Sequence, residues 1–186
     1  LPMVTSVTAV GLAWRLMYNE KFGIINYILS WFGVDPIGWL TKAEYSMPAL
    51  VIFGIWNILP FTIILLLSGL QNIDEQYYTA ARVDGARPMR VFFRITVPLL
   101  SPMLAYVVIT GFIGGFKEYT SIVGIFGENM GPPDEAGRLN TMVGFIYDAL
   151  STNSQGRASA AALILFAIIL VVTLVNLSVS KKRVHY

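Results

Sequence analysis

Two stretches of this chain carry no charged residue over a length that a soluble core does not require: Ser46 to Leu70, 25 residues, and Ala158 to Ser180, 23 residues. The hydrocarbon core of a bilayer takes about 20 apolar residues in a helix. Inside it every backbone N–H and C=O must be paired within its own segment or a closed barrel. Runs this long, with no strict alternation, read as membrane-spanning α-helices. Two more stretches approach the same length: Leu1 to Tyr18, interrupted by Arg15, and Pro98 to about Phe116, with a continuation beyond Lys117 and Glu118 left open. The expected fold class is therefore all-α, a polytopic transmembrane helical protein with four spans. The 13% of charged residues, against about 25% in soluble domains, agrees. Leu1 opens inside an apolar run with no charged n-region or cleavage site, so the run reads as a span and not as a signal peptide.

Lys and Arg near span ends set orientation. The connection between the second and third spans holds Arg82, Arg87, Arg90 and Arg94, and the tail holds Lys181, Lys182 and Arg183, together seven of the 13 basic residues. The other connections carry Glu20, Asp35, Glu44, Glu128, Asp134, Glu135 and Asp148. The Arg-rich loop and the C-terminus are expected on the cytoplasmic side. On the outer side, Phe22 to Phe32 is apolar but short. It suits either an interfacial helix with Tyr27 and Trp31 at headgroup depth or a packed turn. Gly124 to Asn140, with Gly131-Pro-Pro-Asp-Glu135, reads as a turn-rich outer loop.

The Arg-rich loop, residues 71–97, is more ordered than a linker needs to be. Asp74 and Glu75 suit a helix N-terminus, and a short helix from Glu75 to about Asp84 is expected. Ala80 and Ala81 would allow close approach of another surface. Gly85 supplies the left-handed geometry of a sharp reversal, and Pro88 suits the first turn of a second helix. In that helix Val91, Phe92, Ile95 and Leu99 fall on one face and Arg87, Arg90 and Arg94 on another. The Arg stripe reads either as a protein-docking surface or as a contact with anionic headgroups.

The block Leu70-Gln-Asn-Ile73, Tyr78-Thr-Ala-Ala-Arg82, Asp84-Gly-Ala-Arg87 and Phe93-Arg-Ile-Thr-Val-Pro98 resembles the cytoplasmic coupling (EAA) loop of type I, binding-protein-dependent ABC-importer permeases. Gly23-Ile-Ile-Asn26, Trp39-Leu40, Trp56 with Pro60-Phe61, and Gly156 with Ala160-Ala-Ala162 extend the likeness over the chain, within the sugar-permease branch of maltose and glycerol 3-phosphate permeases. The family motif usually has Glu at Thr79 and Ile-Pro at Ile73-Asp74. The resemblance implies that residues 1–186 form one type-1 transmembrane domain and that two further spans precede it. It implies that Tyr78, Thr79, Ala80, Ala81, Arg82, Asp84, Gly85, Ala86 and Arg87 couple to an ATPase. The implied partners are a second permease subunit, two ATPase subunits that bind ATP and Mg, and an extracytoplasmic solute-binding protein, in a bacterial cytoplasmic membrane. The implied cargo is a sugar or oligosaccharide, with glycerol phosphates, amino acids or other small solutes as the alternative.

Polar groups within spans are costly and default to functional candidates. Trp56 and Asn57 in the second span, and Lys117, Glu118 and Tyr119 at the end of the third, are candidates for the substrate path, because sugars stack on aromatic faces and need paired donors and acceptors. Asn57 equally suits a hydrogen bond to a neighbouring helix, and Lys117 with Glu118 a snorkelling pair. Gly111, Gly114 and Gly115 read as close-packing positions. The chain has no cysteine and one histidine, His185, so disulfides, thiolate sites and a His-based metal site are not expected. Neither a phosphate-binding loop nor a hydrolase motif occurs, so no enzyme activity is expected of this chain. A net charge of +2 gives no argument for a nucleic-acid partner.

Overall fold

The computed structural model describes residues 5–183. Its elements are all helical: α1 (Val7–Met17), α2 (Ile24–Ser30), α3 (Ala43–Gln71), α4 (Glu75–Val83), α5 (Pro88–Val91), a π-helical turn (Phe92–Thr96), α6 (Val97–Leu99), α7 (Ser101–Phe116), α8 (Thr120–Phe126), α9 (Met142–Ser151) and α10 (Gln155–Arg183). The two uncharged stretches become α3 and α10, each 29 residues and so about 43 Å long at 1.5 Å per residue. Both are long and apolar enough to cross a membrane. A third crossing is available only as a bent pair, Pro88–Leu99 with Ser101–Phe116, turned by 62°. The expected span from Leu1 to Tyr18 appears as the 11-residue α1, about 16 Å, with residues 1–4 outside the described part. His185 also lies outside it.

The third span differs from its sequence boundaries. Its straight part, α7, starts at Ser101 and not at Pro98 and ends at Phe116, and the crossing needs the bent Pro88–Leu99 segment as well. Pro98 lacks an N–H and its ring crowds the carbonyl four residues back. The turn before it widens accordingly, with Val97 N–H bonded to Phe92 O. Pro102, in the first turn of α7, has no N–H to bond back into the preceding turn, and the chain bends at Leu100, which is buried.

The contacts divide the chain into two units. The first comprises residues 1–60 and 116–165. Its core is aromatic: Trp14 lies 5.3 Å from Tyr18, 5.6 Å from Phe53 and 5.2 Å from Trp56, and Tyr18 lies 5.6 Å from Trp39. Ile122, Ile125 and Phe126 of α8 complete it. Helices α1 and α8 cross backbone to backbone at Gly11 and Gly124, where a Cβ on Gly11 would stand 2.9 Å from Gly124 Cα. Gly124 is therefore a helix-packing residue and not the start of a loop. The rest of the expected outer loop is turn-rich but folded inward: Met130, Pro132 and Leu139 are buried, and Leu139 N donates to Met130 O at 2.9 Å. Asp134 accepts from Ala43 N at 3.2 Å, a carboxylate at the positive end of α3.

The second unit comprises residues 61–115 and 166–186. It holds the second half of α3, the Arg-rich loop and α7. A Cβ on Gly69 would stand 2.9 Å from Leu100 Cδ2, so α3 and the bend at Leu100 approach closely there. Around Gly111, Gly114 and Gly115 nothing lies within 4 Å of an added Cβ. They are not packed against any of the described residues.

Candidate functional site

The loop of residues 71–97 folds as a helical knob. Asp74 caps α4 by accepting from Gln76 N at 2.9 Å, and Glu75 sits in its first turn. The helix ends at Val83, with Asp84 as cap. Three bonds close its end: Asp84 N to Ala80 O at 3.0 Å, Gly85 N to Arg82 O at 3.1 Å and Ala86 N to Ala81 O at 2.9 Å. The last two form the 5→2 and 6→1 pair of a Schellman motif. Gly85 has φ +66°, and a Cβ there would meet nothing within 4 Å. Glycine is needed for the backbone conformation, not for room. Arg87 then caps α5 in extended conformation with Pro88 at its first position. Tyr78 Oη and Thr96 Oγ1 lie 3.2 Å apart, which pins α4 to the helix that follows the turn.

The two alanines of the knob have different roles. Ala81 is buried and serves the knob's own packing, whereas Ala80 is exposed, as is Thr79. Asp74, Glu75, Gln76, Thr79, Ala80 and Val83 border a shallow open groove. Tyr77, Val83 and Met89 are exposed apolar groups on the same knob, Val83 at 83%. Arg82 and Glu75 pair at 3.6 Å with both side chains in solvent, a contact that contributes little to stability. Arg87, Arg90 and Arg94 are exposed with no carboxylate partner among the described residues. The expected apolar face is only partly present. Val91, Ile95 and Leu99 are half-buried, but the π turn rotates Phe92 outward, where it meets Phe93 edge-on at 5.1 Å.

The residues assigned to a substrate path fall in the first unit. Trp56 packs on Trp14 and forms part of the aromatic core's edge. Asn57 is half-buried, and its amide has no hydrogen-bond partner among the described residues, so the expected bond to a neighbouring helix is not made within this chain. Lys117, Glu118 and Tyr119 do not interrupt a span; they are the break between α7 and α8. No ion pair joins Lys117 to Glu118 among the described residues. Instead Glu118 Oε1 accepts from Tyr119 N and Ser121 N, each at 3.1 Å, capping the start of α8. Tyr119 stacks on Tyr147 at 4.5 Å and 14°. No hydrogen bond or ring contact joins Asn57 to these three.

Asn26 was visible in the sequence only as part of a likeness. Its Nδ2 donates to Glu20 O at 3.2 Å and Ile37 O at 2.8 Å, and its Oδ1 accepts from Ile37 N at 3.2 Å and Trp39 Nε1 at 2.9 Å. The residues quoted as Gly23-Ile-Ile-Asn26 and Trp39-Leu40 thus meet in space. Gly23 is fixed by crowding: a Cβ there would stand 2.3 Å from Asn19 O.

The family described as "Binding-protein-dependent transport system inner membrane component" matches residues 1–184. The chain belongs to this family. It is a multi-pass inner-membrane protein, and several of its relatives are named as sugar permeases of transport systems. It is 33% identical over 182 residues to the arabinooligosaccharides transport system permease protein AraP of Bacillus subtilis, covering 97% of this chain and 57% of that protein. It is 34% identical over 183 residues to the trehalose/maltose transport system permease protein MalF of Thermococcus litoralis, covering 98% and 60%. Among solved structures, a bacterial alginate ABC transporter in complex with an alginate pentasaccharide-bound periplasmic protein matches with a TM-score of 0.82 and 25% identity, over 98% of this chain and 62% of that chain. The chain spans about three-fifths of the length of these relatives.

Proposed function

We propose that this chain contributes one permease subunit to an ATP-driven importer of a sugar or oligosaccharide. It works beside a second permease subunit, with two ATPase subunits that bind ATP and Mg on the cytoplasmic side and a solute-binding protein on the other. The chain itself holds no ATP. The observation that carries the reading is the knob from Asp74 to Leu99: its reversal is locked by hydrogen bonds, while its outer surface of Tyr77, Thr79, Ala80, Val83, Met89 and the Arg stripe is left bare. A rigid knob with an unpaired apolar and cationic surface suits docking into a cleft of an ATPase subunit. Closure of the paired ATPases would then move the knob and rock the permeases between inward and outward access. The names of the relatives support a saccharide cargo.

The test is ATP hydrolysis and uptake by the complete transporter in liposomes, with its binding protein and separate pools of sugars, glycerol phosphates and amino acids. Stimulation by the sugar pool is expected; stimulation only by another pool would overturn the cargo. The coupling role is tested by Gly85→Asp, Gly85→Asn and Gly85→Val. A side chain in left-handed geometry costs about 1–2 kcal/mol, least for Asn and most for a β-branched residue. Uptake per ATP hydrolysed should fall in the order Asn, Asp, Val, with membrane insertion intact. Normal uptake by Gly85→Val would show that the reversal plays no part in coupling.

A further inference from the structure

Helix α2 has apolar side chains on both sides, and only one side is packed. Ile25, Asn26 and Leu29 face the first unit's core. Directly opposite, at spacings of three and four, Ile24, Tyr27, Ile28 and Trp31 are exposed, Tyr27 at 62% and Trp31 at 69%, and Phe22 and Phe32 at the two ends are more exposed still. Residues 22–34 contain no charge, while Lys21 and Asp35 stand at the two margins.

We propose that this face lies on the bilayer, in the headgroup region of the leaflet where α3 begins, and serves as a lipid float for the outer scaffold. The proposal rests on the membrane residence of the family and not on the cargo. Three observations select lipid over a protein partner. First, α3 at about 43 Å exceeds the roughly 30 Å hydrocarbon core, so its end turns lie at interface depth. Second, α2 is tied to that level: Asn26 holds Ile37 and Trp39 just before α3, Trp39 meets Tyr45 at 6.2 Å, and Tyr18 Oη donates to Ala49 O at 2.8 Å. The same end of α3 leaves Met47, Val51 and Ile55 exposed and uncharged. Third, the only polar tips on the face are the Tyr27 phenol and the Trp31 indole, whose rings meet edge-on at 5.4 Å. Amphipathic rings of this kind collect where one end is apolar and the other wet, and a helix lying in that plane gains from burying its apolar face.

The absence of cysteine in these 186 residues makes the test direct. Ile28→Cys and Trp31→Cys, made separately in the full transporter with other cysteines replaced, are labelled with a nitroxide and reconstituted in liposomes. Collision rates with oxygen, which partitions into lipid, and with a water-soluble nickel chelate are then measured. At both positions oxygen collisions should exceed nickel collisions several-fold, with a depth near the headgroups. Low rates with both reagents would place the face under another protein, either the second permease subunit or the binding protein, and overturn the proposal. Higher nickel rates would place it in water and overturn it equally. Both positions are exposed, so retained uptake confirms that the fold survives each change.

Discussion

At the residue scale, Asn26 joins α2 to the segment that leads into α3. One amide satisfies two carbonyls, one backbone N–H and one indole N–H, and it is buried. Leaving buried donors and acceptors without partners costs about 1–3 kcal/mol each. Asn26→Leu, similar in size, should lower stability by about 2–4 kcal/mol, read as a drop in Tm of the detergent-purified protein. Asn26→Asp keeps both accepted bonds but sets a carboxylate against Glu20 O and Ile37 O, so it should not rescue. An unchanged Tm for both variants would mean that the loop is held by something other than this amide. The sequence presented Asn26 as one letter in a short apolar string. Its value comes from Trp39, 13 residues away, which no local pattern connects to it.

At the element scale, the close crossing of α1 and α8 gives its own prediction. A methyl on Gly11 meets the Gly124 backbone at 2.9 Å, while one on Gly124 meets Gly11 Cα at 3.2 Å. Backbone cannot swing aside as a side chain can, so the helices must separate. Overpacking of this sort costs about 1–3 kcal/mol. Gly11→Ala should therefore lower the Tm more than Gly124→Ala, and Gly11→Val more again; equal and negligible effects would show that the helices separate freely. Gly111→Ala meets open space among the described residues, so any loss from packing must arise at a surface outside them. The sequence did not single out Gly11 with Gly124, because composition shows where close packing is possible and not which helix arrives there. The π turn at Phe92–Thr96 is a similar case. Pro98 announces a disturbed helix, but bending and widening are alternative responses, and here both occur, at successive prolines.

At the scale of the whole molecule, the surface is mostly that of a membrane protein: α3 and α10 expose Ile55, Ile63, Leu67, Leu163, Phe166 and Leu174 along their lengths. A chain so apolar needs lipid on its exterior, and the Arg and Lys positions predict that the knob enters the cytoplasm. Val83→Cys on the knob should react with an impermeant maleimide only from the cytoplasmic side of sealed membranes, in a complex stripped of its ATPase subunits. Asn129→Cys should react only from the opposite side. The reverse labelling pattern would invert the orientation and remove the knob from any contact with an ATPase.

The sequence by itself determined the helical class, two of the crossings and the reversal at Gly85. Each of these rests on local physics: hydrocarbon demands unbroken apolar helix, and a left-handed residue after a helix demands glycine. Tertiary structure alone decided that Trp56 joins an aromatic core, that Glu118 caps α8, that Gly11 meets Gly124 and that Asp134 caps α3 across 91 residues. These depend on which distant segment comes to lie beside a given side chain, and residue type and spacing along the chain do not specify that.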